Sequence, residues 1–189
     1  PSRGTLPPGA RKTLTLPRGR VGPRAGAPQQ LFALTNPAGS VLVTTPSPSK
    51  LIVPSRTYNQ PATGTYGQFI PAVTPAGSVG LSDNRVLQLL QLEASDKMRT
   101  NVGVVETNGS PVTIELTAIP PDSKVAAKTQ VTLAANQFIQ FNDILKSFGL
   151  GTVYNARMTV KVLSGIGRVT AYASVIDAAT QDPTYVPAQ

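Results

Sequence analysis

The sequence contains no cysteine, no histidine and no tryptophan. Without cysteine there is no disulfide, no iron–sulfur site and no thiol nucleophile. The usual zinc ligands are missing, and a Ser-His-Asp triad or any histidine general base is excluded. Charge is scarce: 14% of the 189 residues are charged, against about a quarter in an average globular chain. No run approaches the ~18 apolar residues that cross a bilayer, and no basic segment leads into an apolar one as a secretion signal would. These absences argue against an enzyme, and no cofactor, metal or membrane span is expected. The chain opens on Pro1 rather than Met, which reads as a processed product or a piece of a longer protein.

Glycine (16) and proline (18) are plentiful, as in a loop-rich β protein. The net charge of +8 is unevenly placed, because the first carboxylate in the chain is Asp83. Arg3, Arg11, Lys12, Arg18, Arg20 and Arg24 crowd a Pro/Gly-rich arm over residues 1–28. Such an arm attracts nucleic acid or an anionic surface, or forms the positive half of a self-complementary contact. It carries no aromatic ring to stack on bases, so nucleic acid is the lesser alternative.

The second half reads as strands and turns. Asn84–Glu93 alternates imperfectly and fits strand or helix by periodicity alone; the strand-like residues after it favour strand. Arg99–Glu106 is rich in Val. Asn108-Gly109 then gives the strongest short hairpin signal, a type I′ turn with both residues at positive φ. Pro111–Ile119 alternates cleanly, with Val112, Ile114, Leu116 and Ala118 on one face. Lys128–Leu133 and Phe138–Phe141 are further strands. Asn142 to Gly149 predicts one or two helical turns, capped by Asn142 and closed by Gly149. Ala156–Leu163 and Arg168–Ile176 come next, joined by Gly165-Ile166-Gly167. Strands at this spacing predict an antiparallel sandwich.

The first half repeats the later part of the second. Ala10–Leu16 lines up with Ala127–Leu133, Leu31–Leu34 falls where Leu145–Leu150 falls, and Ala38–Thr44 lines up with Asn155–Lys161. Lys50–Tyr58 lines up with Arg168–Ile176, and Thr65–Ala72 with Asp182–Ala188, so that Pro71 meets Pro187. Five blocks in one order mean two copies of one unit. The first copy has no counterpart of Asn84–Ile119, so it would lack about three strands and expose its edges. The expected fold is therefore all-β: two antiparallel sandwich modules, the first incomplete and completed by other strands. The divisions are an arm over 1–28, a partial module over 29–78 and a complete one over 79–189.

The runs Ser55–Asn59, Gly64–Pro71, Arg99–Val105, Gln140–Ile144, Arg168–Val175 and Asp182–Pro187 resemble tandem immunoglobulin-like β-sandwich repeats of uncharacterised secreted or cell-surface bacterial proteins. That resemblance implies an extracellular, non-enzymatic role: a subunit of a filament, stalk or layer. Its partners would be copies of itself, other surface proteins or anionic surfaces. Assembly would proceed by strand exchange, with Arg11, Lys12, Leu14, Leu16, Arg18, Arg20 and Arg24 as candidates. The alternative is a capsid-like coat protein whose basic arm binds nucleic acid.

The remaining signals are weaker. Asn108-Gly109-Ser110 fits a glycosylation acceptor, but the turn explains it better. Glu93, Asp96 and Glu106 could pair for acid–base work. Asp122, Asp143, Asp177 and Asp182 are too scattered for a calcium loop. Tyr58, Tyr66, Tyr154, Tyr172 and Tyr185 recur near strand ends and fit packing better than a ligand platform.

Overall fold

A computed structural model describes the backbone of residues 13–15 and, in full, residues 39–44, 52–62, 64–122 and 127–189. Among the described residues the strands are, in chain order, β1 (Thr13–Thr15), β2 (Leu42–Thr44), β3 (Pro54–Asn59), β4 (Tyr66–Pro71), β5 (Val79–Gly80), β6 (Val86–Ala94), β7 (Met98–Glu106), β8 (Val112–Ile119), β9 (Ala127–Leu133), β10 (Phe138–Phe141), β11 (Val153–Gly165), β12 (Arg168–Asp177) and β13 (Pro183–Pro187), with short 3-10 turns at Pro75–Gly77 and Leu81–Asp83 and an α-helix, α1 (Ile144–Ser147), between β10 and β11. Among the described residues no helix is long and apolar enough to cross a membrane.

The fold is all-β. Two antiparallel sheets face each other, one ordered β6-β11-β8-β9 and the other β10-β7-β12-β13, with β5 also pairing β12. The alternation of β8 places Val112, Ile114, Leu116 and Ala118 in the core with at most 1% exposure. Against them pack Val102, Val104, Val169, Ala171 and Ala173 from the second sheet, and Ile144 and Leu145 of α1 plug one side. Burying each of the larger side chains contributes about 1.5–3 kcal/mol.

The imperfect alternation of β6 has a structural cause. Leu87 and Leu89 are buried, Leu90 is exposed, and Leu92 is buried again. Met158 of β11 partners Leu89 while Ala156 partners Leu92, so β6 carries one extra residue there. Gln91, at φ 57°, takes up the kink. This is a β-bulge, which resets the inward parity of the strand.

Most connections switch sheets, and this corrects two expectations. β7 and β8 belong to different sheets, so Asn108-Gly109 is not a hairpin turn. Gly109 has φ 80°, but Asn108 is not among the positive-φ residues, which rules out type I′. Residues 107–111 cross from one layer to the other, and so do residues 166–167 between β11 and β12. The second correction concerns α1. Asp143, in the left-handed region, holds the N-cap position without a side-chain cap. Asn142 instead accepts a hydrogen bond from Gln140 Nε2 at 2.8 Å. Gly149 (φ 75°) does close the helix, with its N–H on Lys146 O and that of Leu150 on Leu145 O, a Schellman arrangement.

Among the described residues the first half supplies two small sheets. β1 and β2 pair in parallel, Leu14 opposite Val43. Their counterparts in the repeat, β9 and β11, are also mutually parallel, but β8 lies between them. β3 and β4 form an antiparallel hairpin in which Pro54 partners Pro71 and Tyr58 partners Gly67. The repeat alignment carries these pairs onto Tyr172 with Pro187 and Ile176 with Pro183, both of which are partners in β12–β13. The sequence repeat and the pairing register therefore agree residue by residue.

Candidate assembly face

The outer face of the β10-β7-β12-β13 sheet is partly covered by the β3–β4 hairpin. Gln68 Nε2 donates to Ser174 Oγ at 2.7 Å, and Ser174 Oγ donates back to Gln68 Oε1 at 3.0 Å. Between hairpin and sheet lies a groove of about 300 Å³. Thr57, Asn59, Gln68 and Ile70 form its upper wall, and Arg99, Asn101, Gln140, Tyr172 and Ser174 are part of its floor. Amides and hydroxyls dominate, and among the described residues no carboxylate lines it. Arg99 Nη2 is already committed to Gln181 Oε1 at 2.7 Å.

Tyr172 lies flat over Gly103, its partner across β7, where any Cβ would collide with the ring. It stacks on Tyr185 at 5.7 Å with an interplanar angle of 19°. Burial pushes both phenols above their ordinary pKa, and for Tyr185 the neighbouring Tyr172 adds to the effect. These two tyrosines are packing residues. Tyr58 and Tyr154 are exposed, with the Arg56 guanidinium 5.7 Å over the Tyr58 ring.

The sheet-switching corner is held by Glu106, 1% exposed. Its carboxylate accepts the N–H of Asn108 at 2.8 Å, Gly109 at 2.9 Å and Asn136 at 2.6 Å. The N–H of Arg168 reaches it at 3.4 Å. One buried carboxylate thus ties three loops, and its charge is balanced by converging backbone dipoles. Glu93 and Asp96 flank the opposite end of β7, whose first residue, Met98, is eight residues from Glu106. At about 3.3 Å per residue that is ~25 Å, well beyond the ~5–9.5 Å that a carboxylate pair needs for glycoside hydrolysis. The structure does not bring these three together.

The segment entering the sandwich is clamped by Arg168. Its Nη2 donates to Ser78 O and to Asp83 Oδ2, both at 2.6 Å. The hydrogen bond from Arg168, and then that from the Gly80 N–H, hold the Asp83 carboxyl below its ordinary range. Asp177 is lowered in the same way by the backbone N–H and hydroxyl of Thr180. Among the described residues no three acidic groups gather where they could hold a metal.

Of the residues expected to drive assembly, Arg11, Lys12, Leu16, Arg18, Arg20 and Arg24 lie outside the described residues. Leu14 falls in β1, whose backbone is paired within its own chain. Asn108 is tied at both side-chain atoms, donating to Ile166 O and accepting from Arg168 N. The Glu106 hub was not anticipated, and β3 was not singled out among the edges that an incomplete first copy would expose. The parity Val102, Val104, Glu106 places a carboxylate on the core side of β7, and that signal was readable.

Known proteins offer little guidance. No family model matches the chain, and no curated protein matches it. A solved crystal structure, that of Thermotoga maritima 1070, is similar at a TM-score of 0.41 with 12% identity, over 55% of this chain and 94% of that one. A likeness that low carries no argument.

Proposed function

We propose that the protein is a non-enzymatic structural subunit of an extracellular or cell-surface assembly, built of immunoglobulin-like repeats that join by strand exchange into a filament, stalk or layer. The observation that carries this reading is the repeated hairpin: β3–β4 keeps the register of β12–β13, yet β3 is exposed along its whole length. A strand with that history and, among the described residues, no partner but β4 is a template for pairing with another chain. Head-to-tail donation does not close on itself unless rotation makes a ring, so it builds filaments.

The test is particle morphology by electron microscopy with light scattering on residues 1–189. Extended particles, lost on deleting residues 1–20, are expected. A monomer at all concentrations overturns the reading. A shell whose nucleic-acid binding falls steeply with salt, as six arm charges require, would favour the coat-protein alternative.

A further inference from the structure

Strand register lays out the groove floor as a grid. On β7 the core side is taken by Thr100, Val102 and Val104, all buried, so Arg99, Asn101 and Gly103 fall on the face that carries the hairpin. Across β12 their partners are Ile176, Ser174 and Tyr172, and Gln140 of β10 partners Gly103 from the other side. From Arg99 to Gly103 the floor is about 13 Å long, at about 3.3 Å per residue. The Gln68–Ser174 pair holds the hairpin over it. The space left between them, about 300 Å³, is at the lower end of the range for ligand cavities.

The polar groups of this floor are oriented by partners elsewhere. Asn101 Oδ1 accepts the N–H of Asp143 at 2.9 Å, which leaves Nδ2 as a donor. Gln140 Nε2 donates to Asn142 Oδ1 at 2.8 Å, which leaves Oε1 as an acceptor. Tyr172 OH stands 3.4 Å from that Oε1, too long for a strong O–H···O bond. Arg99 Nη2 is spent on a neutral amide, Gln181 Oε1, and Gln181 is itself tied back through Nε2 to Ala178 O. The ion pairs among the described residues, Lys128–Glu115 and Arg168–Asp83, do not include Arg99. Groups set in place beforehand lose little freedom when a ligand arrives.

This arrangement selects a chemistry. The guanidinium calls for a carboxylate, which it can grip through two parallel N–H donors. Among the described lining residues no acidic group answers an ammonium, which disfavours amino acids and polyamines. Ile70, Ile176 and Pro183 are too few to hold an apolar ligand. Amides and a phenol suit hydroxyl groups, which both give and take hydrogen bonds. We propose that the groove binds a sugar acid of the uronate class, its carboxylate on Arg99 and its ring hydroxyls on Asn101 Nδ2, Gln140 Oε1 and Tyr172 OH. The site lies within one chain and does not depend on strand exchange.

The test titrates isotope-labelled residues 1–189 with sodium glucuronate, with glucose and acetate as controls, and follows NMR shifts. Glucuronate should bind at least about tenfold more tightly than either control, with shifts centred on Arg99, Asn101 and Gln140. Arg99→Gln should bring glucuronate down to the level of glucose. Asn59→Asp places a carboxylate in the groove wall at an exposed position. It should weaken glucuronate about threefold or more while sparing glucose, and it carries the test if Arg99→Gln does not fold. A galacturonate trimer separates the sources. A further gain of about tenfold with shifts still at the groove assigns the site to a polysaccharide, and equal affinity assigns it to a free sugar acid. Glucuronate that binds no better than acetate, or that shifts only the basic residues of the arm, overturns the proposal. The two readings fail separately. Glucuronate binding by a chain that stays monomeric sinks assembly alone, and particles of a chain that ignores glucuronate sink the sugar site alone.

Discussion

Hairpins β3–β4 and β12–β13 share a register and differ in almost everything that surrounds it. β12 alternates between core and outer face, with Val169, Ala171 and Ala173 buried. All six residues of β3 are exposed. The repeat places Ser55 and Thr57 where β12 has Ala173 and Val175. The backbone plan was kept, but the inward positions became polar, and the hairpin rests on a groove of amides and hydroxyls. Register here is set by prolines, a glycine and the turn, whereas the environment is set by the inward side chains.

The largest expected effect tests what holds β12 in its environment. Glu106→Ala strands the N–H groups of Asn108, Gly109 and Asn136 at a buried corner and loosens the start of β12. The cost should be about 3–5 kcal/mol, read as a lower urea midpoint. A change within about 0.5 kcal/mol would mean that water replaces the carboxylate freely and the corner is not what distinguishes the second hairpin.

A smaller effect is expected at the first hairpin. A Cβ at Gly67 would run into Thr57 O and the Tyr58 backbone, so Gly67→Val should break β3–β4 pairing. The Thr57 amide then exchanges freely, while the sandwich loses no more than about 1 kcal/mol, because the hairpin adds little to the core. A melting point depressed as far as that of Glu106→Ala would show that the hairpin is an integral part of the sandwich.

How far the sequence foretold this differs by element. The β8 face and the repeat were legible because period and order are local or additive properties. The bulge at Leu90-Gln91 hid in what looked like poor alternation. Asn108-Gly109 misled because turn chemistry reports the chain's local direction but not which sheet the next strand will join. That choice depends on Glu106, 1% exposed, gathering N–H groups from loops 30 and 62 residues further along the chain. Six of the seven arm residues expected to assemble the protein lie outside the described residues.

The smallest effect lies at the joint between the two regions. Asp83 and Arg168 pair at 2.6 Å, with side chains 26% and 30% exposed, so solvent screens them and the contribution is modest. The direction of the pH dependence is nonetheless fixed. The folded pKa of Asp83 lies below the ordinary 3.8, chiefly through the Arg168 hydrogen bond. Its stabilisation is therefore fully present above pH 3.8 and fades as pH falls through the lower folded value. Urea midpoints for wild type and Asp83→Asn should differ by a constant amount from about pH 7 to about pH 5 and converge towards about pH 2. Asp177, lowered in both proteins, leaves a shared acid slope that cancels in the difference. A gap that persists undiminished into acid would mean that the substituted amide harms the joint by geometry alone. The entering segment would then be held by the Arg168 bond to Ser78 O, with no help from charge.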